Sequence, residues 1–151
     1  MKKIFIICLL TLASLQTQAQ DTIQKSLHQL GINLGAATGI GLSYRYTPGK
    51  FMHQVTFLPV ATDDIVFIDL AYSLHYTLKD RKFANFNLYG GTHFIYNSES
   101  GLNNITGGGF GFDFKCSNHF TVNLNAGYGA YFLDERTSLY PTGELGIFYK
   151  L

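Results

Sequence analysis

The stretch FTVNLNAGYGAYF, residues 120–132, decides the fold. From Val122 onward every second residue is apolar or aromatic: Val122, Leu124, Ala126, Tyr128, Ala130 and Phe132. The alternate set, Thr121, Asn123, Asn125, Gly127, Gly129 and Tyr131, is polar or small. A period of two makes a strand with two unlike faces. Large groups run along the apolar face from end to end. That face looks either into a protein core or out into lipid.

The pattern repeats along the chain. LGINLGAATGIGLSYRYTPGK puts Leu42, Tyr44 and Tyr46 opposite Ser43, Arg45 and Thr47, with a tight turn or bulge at residues 37–39 and a turn at residues 47–50. In FMHQVTFLPVA, Val55 and Phe57 share a face, and Pro59 predicts a bend or bulge. IVFIDLAYSLHYTLKD sets Ile68, Leu70, Tyr72, Leu74, Tyr76 and Leu78 against Asp69, Ala71, Ser73, His75 and Thr77. FANFNLYGGTHFIYN, ITGGGFGFDFKC and LYPTGELGIFYKL continue the alternation. Between them, KDRK and SNH read as tight turns, and TDD, NSESGLNN and DERTS as more open loops. No helical period appears beyond the first residues.

Composition narrows the class. The chain has 151 residues, which predicts one domain. Formal net charge is +1, so nothing points to nucleic acid. Charged residues make up 14%, against about 25% in a typical soluble domain. Aromatics reach 15%, as 13 Phe and 10 Tyr without Trp. This suits a β protein with an unusual surface. Disorder would need low hydrophobicity and high charge.

The first residues read as a secretory signal over residues 1–19. Lys2 and Lys3 precede the short apolar run from Ile4 to Leu12, and Thr17-Gln18-Ala19 offers a cleavage pattern. The run is too short to span a bilayer, which takes about 17 residues or more. Ile6 and Ile7 before Cys8 are not the small residues of a lipoprotein site. The mature chain, residues 20–151, then keeps Cys116 alone, which leaves no internal disulfide and no cysteine metal site.

Strand length and aromatic placement choose between core and lipid. Several segments reach the roughly 9 to 11 residues of a spanning strand, beyond the usual 5 to 6 or so. Tyr46, Tyr76, Phe83 and Phe120 flank one group of turns, and Tyr96, Phe132 and Tyr140 the other. Two aromatic girdles around an apolar band mark a transmembrane barrel. Backbone groups left unpaired in hydrocarbon cost several kcal/mol each, so the sheet must close. Seven strands are clear, and single-chain bacterial barrels are even-numbered. The eighth is expected at Leu30 to Ala36. The expected fold is an all-β, eight-stranded, antiparallel up-and-down transmembrane β-barrel. A soluble lipocalin-like barrel shares the same period and stays open as the alternative.

GELGIFYKL at the C-terminus resembles the terminal strand that the outer-membrane assembly machinery reads, through Leu145, Ile147, Tyr149 and Leu151, although Leu stands last where Phe is usual. LGAATGIGLSYRY, NLYGGTHF and GGGFGFDF resemble the small outer-membrane β-barrel proteins common in Bacteroidota, the OmpA/OmpX-like type. The resemblance covers roughly residues 30–151. It implies outer-membrane lipid and the assembly machinery as partners, a monomer, and no catalytic residue or cofactor.

Alternation places Arg45, Asp69, His75, His93, Asp113, Lys115, Glu144 and Lys150 inward. Buried charges need partners, so a ladder of opposite charges filling the lumen is expected. An ion path or a polar ligand pocket is the functional counterpart. A lipid-acting enzyme would need a base beside a nucleophile. Ser73 with His75 sits mid-barrel, where a lipid ester would struggle to arrive, and His119 with Thr121 lies near a turn without an obvious third member. His75 and His93 could meet across the KDRK hairpin, but two histidines fall short of a closed metal site. GGGFGF opens no helix, so it is not read as a phosphate loop. Residues 97–104 and 134–139 are expected to face outside.

Overall fold

The computed structural model describes residues 27–62, 65–133 and 136–151. The signal reading lies outside the described residues. The chain forms β1 (His28–Gly35), β2 (Gly39–Tyr46), β3 (Phe51–Ala61), β4 (Val66–Asp80), β5 (Ala84–Asn97), β6 (Gly101–Lys115), β7 (Phe120–Leu133) and β8 (Arg136–Lys150). All eight pair antiparallel with their chain neighbours, and β8 closes on β1 from Gln29↔Lys150 to Gly35↔Glu144. The eighth strand is where the leading segment predicted it, over residues 28–35.

Side-chain direction follows the period-two pattern. Leu42, Leu70, Phe110, Leu124, Leu145 and Ile147 are exposed on the outer surface, while Ser43, Asp69, Asn123, Glu144 and Phe148 are buried inside. The molecule is thus apolar outside and mainly polar inside. The end that carries Leu27 and Leu151 is called the lower end below, and the opposite end the upper.

Four readings are corrected. First, residues 97–104 are not a long loop: β5 runs to Asn97 and β6 starts at Gly101, where φ is 79°. Asn104 takes a strand position because its amide donates to Thr92 Oγ1 at 2.9 Å and to the His93 carbonyl at 3.2 Å. Second, β8 begins at Arg136, so residues 136–139 are strand as well. No connection exceeds four residues, so turn length does not alternate between the two ends. Third, Pro59 causes no bulge. The β3–β4 register runs unbroken from Phe51↔Tyr76 to Ala61↔Val66, and the irregularity lies between Thr77 and Lys79. Pro59 is tolerated because pairing with β2 ends below it, at Leu42↔Phe57, so its missing N–H falls on a free edge. Fourth, Tyr140 shares the inward parity of Thr142 and Glu144 and packs edge-on against Tyr131, with centroids 5.4 Å apart. It is no part of an outer girdle.

Candidate functional site

The site is the lumen, and it is built from the wall inward. Arg45 on β2 is fully buried. Its Nη1 donates to Asp113 Oδ1 at 3.2 Å, and its Nε donates to Gln54 Oε1 at 2.7 Å. Its guanidinium carbon sits 3.4 Å from the Phe148 ring centroid, a cation–π contact that covers the face of the charge. Asp113 also accepts from Asn87 Nδ2 at 2.6 Å and from Asn123 Nδ2 at 2.9 Å. The chain of contacts then climbs. Asn123 Nδ2 donates to Asn125 Oδ1 at 2.9 Å, and Asn125 Nδ2 donates to Glu144 Oε2 at 3.2 Å.

At the top of this chain lies the β1–β2 connection, Ala36 to Thr38. It does not project outward. Ala37 and Thr38 are no more than 1% exposed, because the hairpin tip folds across the lumen toward β4 and β5. Glu144 holds one side: Thr38 Oγ1 donates to Oε2 at 2.5 Å, and the Ala37 amide donates to Oε1 at 3.4 Å. Asp69 and His93 hold the other. The Ile40 amide donates to Asp69 Oδ1 at 3.1 Å. His93 Nδ1 donates to the Ala36 carbonyl at 2.8 Å, and Nε2 meets Asp69 Oδ2 at 2.6 Å. Each of these two contacts needs a hydrogen, so the His93–Asp69 pair holds two protons between its members.

Glycine makes room for the tip. Gly39 has φ of 80°, a backbone that side chains disfavour, and a Cβ there would lie 2.5 Å from Ala71 Cβ. A Cβ on Gly91 would lie 2.8 Å from the Ala37 carbonyl oxygen. Asn33 locks the tip from its own strand, donating to Thr38 Oγ1 at 2.8 Å and to the Gly39 carbonyl at 2.7 Å.

The eight inward residues from sequence thus divide. Arg45, Asp69, His93, Asp113 and Glu144 join the network. His75 is buried beside it and stacks on Tyr89 at 5.6 Å. Lys115 reaches the lower rim instead, where Nζ donates to Asp80 Oδ1 at 2.5 Å and to the Arg81 carbonyl at 2.8 Å. Lys150 lines the lower vestibule, an opening of about 1010 Å³ that Lys50, Lys79 and His119 also line. Sequence reading missed Asn33, Thr38, Gln54, Asn87 and Asn125 as network members. The inward parity of Asn33, Gln54, Asn87 and Asn125 was visible, but neutral side chains between charges gave no reason to single them out; Thr38 lies in a turn, where parity says nothing.

The pairs considered for catalysis and metal are also placed. Ser73 Oγ lies 3.1 Å from His75 Nε2, both buried. His75 Nδ1 has no hydrogen-bond partner among the described residues, so no carboxylate orients the ring. His119 stacks on Tyr149 at 5.6 Å, on the lower rim. His75 and His93 do not face each other: His75 pairs with Tyr89, and His93 with Ala71, four positions along β4.

No family model and no curated protein matches the sequence. The fold does match solved structures. The N-terminal β-barrel domain of Pseudomonas aeruginosa OprF superposes with a TM-score of 0.54 at 11% identity, covering 81% of this chain and 93% of that one. Neisserial surface protein A gives 0.52 at 11% identity, with 82% and 94% covered. The de novo designed TMB2.3 gives 0.53 at 15% identity, with 85% and 98% covered. At these identities the likeness is one of fold: a closed eight-stranded antiparallel barrel.

Proposed function

We propose that the chain is an integral outer-membrane protein with a structural or interaction role at the cell envelope, of the small Bacteroidota type. The observation that carries this is the outward belt. Leu30, Leu42, Val55, Leu70, Leu88, Phe110, Leu124 and Leu145, one on each strand, are all more than a third exposed. An apolar belt of this extent is rare on a protein that meets water alone, and a bilayer supplies one continuous partner for all eight strands. A soluble barrel would invert this pattern, with its apolar face inward. The lumen is crossed by the hairpin tip and its two acids, which favours a sealed barrel over a pore. Export by the leading segment and insertion through Leu145, Ile147, Tyr149 and Leu151 complete the reading, with a monomer as the working state.

The test is a deletion strain complemented with wild type, His75→Ala or His119→Ala. Each should restore envelope resistance to detergent equally, and the lipid profile should not differ among them. A lipid profile that shifts with either histidine variant would replace this reading with a lipid-acting enzyme.

A further inference from the structure

The hairpin tip leaves a gap in the wall above it. Pairing of β3 with β2 ends at Phe57, and pairing of β8 with β1 ends at Glu144. Beyond these points β3 runs on to Ala61 and β8 reaches up to Arg136, each paired on one side only. Among the described residues no strand fills the two positions between them, a notch roughly 14 Å wide at about 4.8 Å per strand spacing.

Both lips carry proline on the free edge. The Thr62 amide bonds to Ile65 across from β4, so by alternation the odd residues of β3 direct their nitrogens toward the notch; Pro59 is the first beyond the ladder. On β8 the Lys150 amide bonds to His119 before β7, and the Leu151 amide bonds to His28 before β1. Odd residues of β8 therefore face the notch, and Pro141 is among them. Each proline removes a donor that an apolar neighbour could not satisfy and that another strand could pair with.

Inside the notch the lumen changes character. Below the tip it is polar. Above it, inward parity places Leu58, Phe67, Ile95, Ile105, Tyr131 and Tyr140 on six strands, with Asn97, Asn103 and Ser138 as the polar exceptions among them. Ile105 is 7% exposed at the base, and Tyr140 is 53% exposed near the opening. This is a largely apolar cup with a sideways mouth and a hydrogen-bonded floor. Its sides at the mouth, Val60 and Leu139, are exposed and apolar. A water-borne ligand has no use for a lateral mouth with apolar lips. A chain from the surrounding lipid does.

We propose that the cup takes one acyl chain of an outer-leaflet membrane lipid, admitted sideways between β3 and β8 above the β1–β2 tip. The proposal rests on the membrane placement argued above. It requires no covalent step.

The chain contains no Trp, so one introduced Trp reports alone. The full barrel is refolded into phosphatidylcholine vesicles with dibrominated acyl chains, whose bromines quench Trp on contact. Four variants are compared: Leu124→Trp on the outer belt, Phe148→Trp in the closed lower lumen, and Tyr131→Trp and Tyr140→Trp in the cup. Leu124→Trp should be quenched at least twofold and Phe148→Trp little. Either cup variant should be quenched about as strongly as Leu124→Trp, though it faces inward. Quenching at Leu124→Trp with both cup variants as silent as Phe148→Trp overturns the proposal and leaves the membrane placement standing. No quenching at Leu124→Trp overturns the placement itself, and the proposal with it. Cup quenching by free dibromostearate added to unbrominated vesicles, absent with the brominated phospholipid, overturns the sideways route.

Discussion

At the scale of single residues, Arg45 and Asp113 form a buried ion pair across the lumen. Both are buried, and each satisfies the other's charge. Removing one partner from a buried pair costs about 3–5 kcal/mol because the other charge is stranded, whereas apolar replacement of both is often near neutral. Asp113→Leu should therefore lower the unfolding free energy in urea by about that much, and adding Arg45→Met should recover most of it; equal losses in both variants would mean that the pair carries little charge. On the opposite face, under the membrane placement proposed above, the relevant solvent is lipid. Leu124→Arg should cost about 2–4 kcal/mol in vesicles if it lies near the bilayer midplane, while Asn118→Arg, in an exposed lower turn, should be neutral. The direction of each of these side chains was legible from the alternation in FTVNLNAGYGAYF and its counterparts. The partners were not. Arg45 and Asp113 lie 68 positions apart in sequence, on strands that are not neighbours, and meet only because the barrel is narrow enough for side chains to cross it.

At the scale of elements, the strands were legible and their ends were not. Two-sided apolar patterning marked seven of them; the short β1 was expected from the even strand number of single-chain barrels, and it forms over His28–Gly35. The stretch NSESGLNN misled because Asn and Gly signal loops in water, whereas a barrel pairs Asn104 with Thr92 and leaves Gly101 to start the return strand. Of the two readings of ATG, turn or bulge, the structure has the turn, but nothing local says that a turn folds inward; that follows from Asp69, His93 and Glu144 waiting on three other strands. The tip is held by side chains and is not part of the wall. The double variant Asp69→Ala with Glu144→Ala should free it while keeping all eight strands. In planar bilayers the wild type should show no steady conductance, and the double variant should open long-lived ion-conducting events. Silence from a folded double variant would show that the tip is held by packing around Ala37 and the glycines facing it.

At the scale of the whole molecule, the claim is that one closed sheet meets two solvents, lipid outside and its own polar side chains within. The apolar belt, the closure of β8 on β1 and the filled lumen all belong to that claim. The most direct test is envelope fractionation followed by gel migration with and without boiling. A closed membrane barrel should appear in the detergent-solubilised outer membrane, and its unboiled form should migrate differently from the boiled one, since the barrel persists in the cold detergent. Recovery in the soluble periplasm with no such shift would contradict the account. The exposed Val122-to-Phe132 face would then need another partner than lipid.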